Sequence, residues 1–382
     1  MILHISDDEK FIDNAIELFE TVNPKKNLFL INHDLKDSPL KFIKSKEVTI
    51  YPFGSKEYSK VLLNNFDSII FHNLYLDYKL EILNKLDIND NIHWMCWGAD
   101  LYNIPQLSSA QYLPLTKKLI NNQKTLKQIF VDKFEELSPG IYNKYYQARF
   151  NSMSSFFKFK NLTEKIKSVS TVVDSEFNLI KKYLNPKISY IPFRYGSLNQ
   201  FCKGINSSEF CDGENILIGN SASYTNNHLD AFDFIKKNNL GKIYAPLSYG
   251  DNNYAEIIKK NGYEKFGVHF CPISDFLELS EYNKILKNCN NVIINSMRQQ
   301  AVGNIIVSLW LGAKVFLQKE NPVFKSFERN GIRLFDIEKF NKIKNESINN
   351  EFIFQNRYYL SMLYSQESIY KTTDKLVSKL LA

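Results

Sequence analysis

The chain has 382 residues, 44% hydrophobic and 14% aromatic, more than one hydrophobic core holds, so two domains of roughly 150 to 200 residues are expected. Its five cysteines, Cys96, Cys202, Cys211, Cys271 and Cys289, show no C-x-x-C spacing and no His/Cys pairing, which argues against a zinc site or a disulfide framework and for a reducing compartment. The whole formal net charge of +7 falls between residues 112 and 168, where 11 Lys/Arg face 4 Asp/Glu, while the rest of the chain balances 37 against 37.

The N-terminus, MILHISDDEKF, is a short apolar strand followed by acids, without the basic start and apolar core of a signal peptide. No run of about 18 apolar residues suggests a transmembrane helix, and the chain reads as cytoplasmic. Apolar runs at 1–5, 28–32, 48–52, 68–72 and 91–97 read as strands, with helices near 8–21, 55–64 and 76–86 between them. That alternation is the pattern of a parallel, doubly wound sheet. Long basic, aromatic-rich segments near 112–137 and 141–160 read as helices, and strands at 168–173 and 188–192 complete the first sheet.

Residues 195–215 hold turn clusters without periodicity and read as a linker. A second alternating series follows, with strands at 215–219, 242–245 and 264–269 and helices at 227–238, 252–261 and 280–289. The run 291–322 then gives one β-α-β unit: a strand at 291–295, a polar loop, a helix at 301–311 ended by Gly312, and a strand at 314–318. From residue 351 onward the chain reads as one or two amphipathic helices. The expected domains are 1–200, carrying 112–168 as a helical insertion, and 214–350, with 351–382 free to return to the first.

Ligands of open α/β sheets bind at the carboxyl ends of strands. One such end carries Arg298, Gln299 and Gln300 just before a helix N-terminus, which suits an anion, although an ordinary solvated loop also accounts for them. Another is Gly219 followed by NSASYTNNH, whose small polar groups suit a phosphate; helix capping by Asn226 or Asn227 explains much of it too. Tyr249 in the loop PLSYG is placed to stack on a base or simply to pack. In the first domain, Asp100 after the strand ending at Trp97 is a candidate general base or a helix cap, and His72 ends another strand. No Asp-x-Asp occurs, so no metal and no cofactor are expected.

The motifs WGADLY (from Trp97), IGNSASYTNNH (from Ile218), PLSYG (from Pro246), RQQAVGNI (from Arg298) and ENP (from Glu320) stand in the order seen in a known family. The chain resembles, from about Phe71 to Pro322, the TDP-N-acetylfucosamine:lipid II N-acetylfucosaminyltransferases, the 4-alpha-L-fucosyltransferases of glycosyltransferase family 56. That resemblance implies a GT-B fold, two facing Rossmann-like domains with a cleft between them. It implies a nucleotide-sugar donor, TDP-linked or UDP-linked, on the second domain and a polyprenyl-diphosphate-linked saccharide on the first. The activity implied is transfer of a deoxyamino sugar at the cytoplasmic face of a bacterial inner membrane, in enterobacterial common antigen, O-antigen or capsule synthesis.

Carried onto this sequence, the donor site takes Gly219, Asn220, Ser221, Tyr224, Asn227, Tyr249, Arg298, Gln299, Gln300 and Asn304. Arg298, with Asn220 and Ser221, would neutralise the departing diphosphate. Asp100, with His72 as second choice, would be the base. The basic window, interleaved with aromatics such as Phe130, Tyr142, Tyr145 and Phe150, suits an anionic membrane surface. A sugar-nucleotide epimerase of the same architecture, which needs no acceptor, and a noncatalytic module binding membrane or nucleic acid through the basic window are the alternatives; nucleic acid is not the expected partner.

Overall fold

A computed structural model of the chain describes residues 1–235 and 241–382. It divides into two compact units. The first comprises Met1–Ile104, Ser138–Ser197 and Gln366–Ala382; the second comprises Pro105–Leu137 and Leu198–Ser365.

The first unit is built on seven parallel strands: β1 (Ile2–Asp7), β2 (Asn27–Asn32), β3 (Thr49–Tyr51), β4 (Ser68–His72), β5 (Ile92–Cys96), β6 (Ser168–Thr171) and β7 (Ser189–Tyr190). Their order is β3-β2-β1-β4-β5-β6-β7, so the winding reverses between β1 and β4. Helices cover both faces, and the central strands β4 and β5 are accordingly buried at every residue. The C-terminal helix Gln366–Leu381 packs on the first helix, Ile12–Val22, and accepts a hydrogen bond at Leu380 O from Asn91 Nδ2 (2.7 Å).

Six parallel strands form the second unit: β8 (Asn215–Ile218), β9 (Ile243–Pro246), β10 (Phe270–Ile273), β11 (Cys289–Ile294), β12 (Lys314–Leu317) and β13 (Phe335–Asp336). Their order is β10-β9-β8-β11-β12-β13, and the reversal lies between β8 and β11, where Leu217 pairs with Val292. Below it lies a core of Ile216, Ile218, Ile293 and Phe316 with Phe232, Tyr254 and Phe270 from the covering elements.

Three local expectations change. The strand expected at 264–269 is instead the end of a helix, Asn252–Phe266, and a 3-10 turn, Gly267–His269; the strand begins at Phe270. Asp251 starts that helix by accepting from Tyr254 N (2.7 Å), and Tyr254, Ala255, Ile258, Gly262 and Phe266 form its buried stripe. Gly262 is fixed by packing, since a Cβ there would lie 2.5 Å from the Phe270 ring. The long basic helices are each broken in two: Pro114–Asn122 and Leu126–Leu137, then Pro139–Phe150 and Ser155–Thr163. Thr125 and Gln128 exchange hydrogen bonds as a capping box at the first break, and Asn151 turns left-handed (φ 49°) at the second. The helix expected at 227–238 spans His228–Phe234; residues 236–238 lie outside the described residues.

The basic window is shared between the units. Asp230 of the second accepts from Leu115 N (2.8 Å), Thr116 N (3.0 Å) and Thr116 Oγ1 (2.7 Å), and Asn227 Oδ1 accepts from Leu113 N (2.9 Å). These bonds satisfy the N–H groups at the start of the helix Pro114–Asn122, tying it to the helix His228–Phe234. The linker is likewise bound to the second unit: Arg357 donates to Ser207 O (2.6 Å) and Trp310 O (2.7 Å).

Candidate active site

At the reversal in the second sheet the chain leaves β8 through Gly219, whose φ is +69°. A Cβ there would meet His228 Nε2 at 2.6 Å and Asn226 Oδ1 at 2.9 Å, so the turn requires glycine on both steric counts. Buried Asn226 shapes the loop that follows. Its Oδ1 accepts from Asn220 N (3.1 Å), while its Nδ2 donates to Ser221 O (2.8 Å) and Ser221 Oγ (3.1 Å). Asn227, left-handed at φ 49°, ties this loop to the end of β11: its Nδ2 donates to Asn295 O (2.9 Å), and Asn295 Nδ2 donates to Asn227 O (3.2 Å).

The facing loop after β11 is held from the next strand's end. Asn321 Nδ2 donates to Ser296 O (2.6 Å) and Arg298 O (2.9 Å), which sets the backbone that carries Arg298. Arg298 Nε donates to Gln300 Oε1 (3.4 Å), Thr225 Oγ1 donates to the same oxygen (2.7 Å), and Gln300 Nε2 donates to Asn220 Oδ1 (2.7 Å). Asn220 Nδ2 then donates to Tyr249 Oη (3.0 Å). One hydrogen-bonded chain thus joins Arg298, Gln300, Asn220 and Tyr249 across the loops of three strands. Ala301 stands at φ 60° just before the helix Val302–Leu311, so the strained turn, the guanidinium and the first N–H groups of that helix share one rim. This arrangement suits an anionic ligand with a hydrogen-bonding partner beside it.

Gly219, Asn220, Ser221, Tyr249, Arg298 and Gln300 are therefore brought together, and Gln299 lies half-buried in the same loop. Asn227 is wholly buried and acts on the loops rather than from them. Tyr224 packs 4.2 Å from the Tyr254 ring, and its Oη accepts from Gln123 Nε2 (3.2 Å). Asn304 donates to Tyr282 Oη (2.7 Å), a tyrosine that sequence reasoning passed over because its spacing on an amphipathic helix distinguishes nothing. Asn321 was missed too, since the sequence signal ENP marks only a helix start. Among the described residues no His, Cys, Asp and Glu side chains group in threes as a metal set.

The two candidates of the first unit need correction. Asp100, the candidate base or helix cap, is buried, because its carboxylate is the anchor of its own loop. Oδ2 accepts from Trp94 Nε1 (2.7 Å) and Leu74 N (3.1 Å), and Oδ1 accepts from Trp97 N (3.1 Å) and Cys96 Sγ (3.5 Å). Burial raises its carboxyl above the ordinary range, and the Trp94 and Leu74 bonds oppose the rise.

His72, which ends β4, is fully buried between His4 and Tyr195. Trp97 Nε1 can only donate, so it gives its proton to Tyr195 Oη (2.9 Å), leaving the phenol hydrogen for His72 Nδ1 (2.7 Å). His72 therefore carries its proton on Nε2 and gives it to His4 Nδ1 (3.0 Å). Burial holds His72 well below its ordinary pKa, with His4, Lys79 and His93 adding to the effect.

The same architecture recurs in solved glycosyltransferases. A glycosyltransferase from Rickettsia africae is 11% identical, with 100% of this chain and 98% of that one covered and a TM-score of 0.60. Anabaena HepE, crystallised with UDP and glucose, is 10% identical over 100% and 98% at 0.57. WaaG, a glycosyltransferase involved in lipopolysaccharide biosynthesis, is 10% identical over 100% and 99% at 0.55. These likenesses place both doubly wound units in the GT-B fold class. Residues 140–369, more than half of the chain, match the 4-alpha-L-fucosyltransferase glycosyl transferase group 56, so the chain belongs to that family and is a glycosyltransferase.

Proposed function

We propose that this glycosyltransferase moves a deoxyamino sugar resembling N-acetylfucosamine from a TDP-linked donor to a polyprenyl-diphosphate-linked saccharide, at the cytoplasmic face of a bacterial inner membrane. The observation that carries the donor half is the rim at the second unit's strand reversal. Arg298, the helix N-terminus behind it and the small polar loop 219–221 offer a diphosphate positive charge and donors, which stabilise the charge that develops as the nucleotide leaves. Tyr249, held by Asn220, presents an aromatic face beside them for the base or ribose.

The reading is tested directly by incubating the purified protein with a panel of TDP- and UDP-sugars and a short-chain polyprenyl-diphosphate disaccharide, and following the product by mass spectrometry. No transfer from any donor sinks it. Arg298→Ala should weaken TDP binding by about 1.5 to 3 kcal/mol, the range of a charge-assisted hydrogen bond, with the fold intact. Calorimetry measures this, and unchanged affinity in a folded variant removes Arg298 from the donor site.

The lipid half is supported by the helix Pro139–Phe150 of the first unit. Only Asn143 of that helix is buried, while Ile141, Tyr145 and Phe150 stand 63%, 47% and 54% exposed. No acidic residue occurs from 137 to 163, a stretch that carries Lys144, Arg149, Lys158 and Lys160. A stretch without acids, its cations interleaved with exposed aromatics, suits anionic headgroups, each cation contributing about 1 kcal/mol near the surface. The other half of the window is mixed in sign, and its Lys124 is paired with Asp132 (2.7 Å). Flotation with anionic vesicles at low salt should therefore recover the protein. Replacing Lys144, Arg149, Lys158 and Lys160 by Gln should release it more than replacing Lys117, Lys118, Lys124 and Lys127; absence of lipid binding by the native protein would favour a soluble acceptor.

A further inference from the structure

Where the winding of the first sheet reverses, between β1 and β4, nearly every acid at the carboxyl rim is already engaged. Asp7 pairs with Lys79 (2.7 Å) and accepts from Tyr78 Oη (2.8 Å). Asp8 accepts from Phe42 N (3.0 Å) and Ile43 N (2.9 Å), and Asp13 from Lys44 N (2.9 Å) and Ser45 N (3.1 Å). Asp100 and His72 are bound as described above. Glu9, in the turn between β1 and the helix Ile12–Val22, differs: it is half-buried beside Asp7, Lys79, Asp8 and Lys10, yet among the described residues no hydrogen bond or ion pair reaches its carboxylate.

Two residues on, Phe11 is 45% exposed, edge-on to Trp97 (5.9 Å, 81°) and 5.9 Å from the Tyr195 ring. Trp97 and Tyr195 are fixed by their mutual hydrogen bond (2.9 Å), so the three rings make a preset apolar wall that begins two residues along the chain from an uncommitted carboxylate. Such a wall packs against the C–H face of a sugar ring, while a lone polar group beside it sets orientation.

We propose that this rim receives the acceptor saccharide, one sugar ring lying against Phe11 and Trp97 and the reacting hydroxyl on Glu9, which serves as general base. The proposal rests on the glycosyl transfer argued above and names the group that completes it. As the acceptor oxygen bonds to the anomeric carbon of the donor sugar, its proton passes to the Glu9 carboxylate. The bond from that carbon to the phosphate oxygen breaks, its electron pair leaving with the nucleotide diphosphate. Burial, with the charges of Asp7 and Asp8, raises the Glu9 carboxyl above its ordinary range, against the pull of Lys79 and Lys10, which favours a base nearer neutrality.

Glu9→Gln is expected to lower kcat by about a hundredfold or more, with TDP affinity unchanged and the unfolding midpoint not lowered. The acid limb of the native kcat/KM profile should disappear in the same variant. Phe11→Ala should raise the KM for the polyprenyl-diphosphate disaccharide without altering TDP affinity. A Glu9→Gln enzyme within about threefold of native turnover overturns the assignment of Glu9 while leaving glycosyl transfer standing. Native protein that transfers no sugar to the disaccharide overturns the parent reading and this proposal together.

Discussion

Taking the protein from pH 7.5 to 5.5 is expected to remove about 4 kcal/mol of stability from the first unit. Burial lowers His4 and His93 to about 3 and His72 well below its ordinary value. The folded unit therefore keeps three neutral imidazoles, while an unfolded chain protonates them near 6.5. The stability they contribute is complete above about 6.5 and is lost as the pH falls, each imidazole costing about 1.4 kcal/mol by pH 5.5. Lys79 donates to His72 O (2.7 Å) and keeps the interior hostile to a second positive charge. Asp100 and Glu9, whose carboxyls are raised, act in the opposite direction and soften the total.

The three tryptophans are Trp94, Trp97 and Trp310, so in a Trp310→Phe background fluorescence reports the first unit alone. Urea midpoints should fall steadily from pH 7.5 to 5.5, and flat midpoints would overturn the argument. His93→Gln should shrink the slope by about a third, because the amide can keep a bond to Ser168 or Ser170, 2.7 and 2.9 Å from the imidazole, without titrating.

The dependence on strand pattern explains what could be read in advance. β4, β11 and β12 carry the apolar runs 69–71, 292–294 and 315–317, buried at every residue, and a parallel sheet leaves that mark directly in the sequence. The same holds for Gly219 and Arg298, because a strand end before a helix start places both on one rim whatever the rest of the chain does. The strand placed at 264–269 failed for a local reason: Phe266 and Val268 alternate with Gly267 and His269, but Phe266 also continues the stripe from Tyr254 and Ile258, and the capped helix won.

Side-chain direction is where pattern gave out. WGAD fixes Asp100 near a strand's end, but not whether its carboxylate turns outward or back onto Trp94 and Leu74. Asparagine is so frequent in this chain that Asn226, Asn227, Asn295 and Asn321 look like composition, although each braces a loop at the second sheet's strand reversal. The docking of Pro105–Leu137 on the second unit was equally hidden, since it depends on Asp230 and Asn227 meeting backbone N–H groups more than a hundred residues away.

Asp100 supplies the sharpest division between a structural and a chemical role. Replacing it by Ala strands Trp94 Nε1, Leu74 N and Trp97 N in a buried loop, and is expected to destabilise the first unit by about 3 to 5 kcal/mol, as when one partner of a buried, fully bonded charge is removed. Asp100→Asn should cost less, about 1 to 3 kcal/mol, because the amide accepts through one oxygen but turns an N–H₂ toward a donor at the other. Turnover in the Asn variant should then fall only as far as the folded fraction and the position of Trp97 fall with it. Urea unfolding of both variants, read by the same tryptophans, measures the cost, and transfer rates corrected for folded fraction measure the chemistry. A general base behaves the other way: an Asn variant with a native midpoint and about a hundredfold loss of rate would return the proton transfer to Asp100 and take it from Glu9.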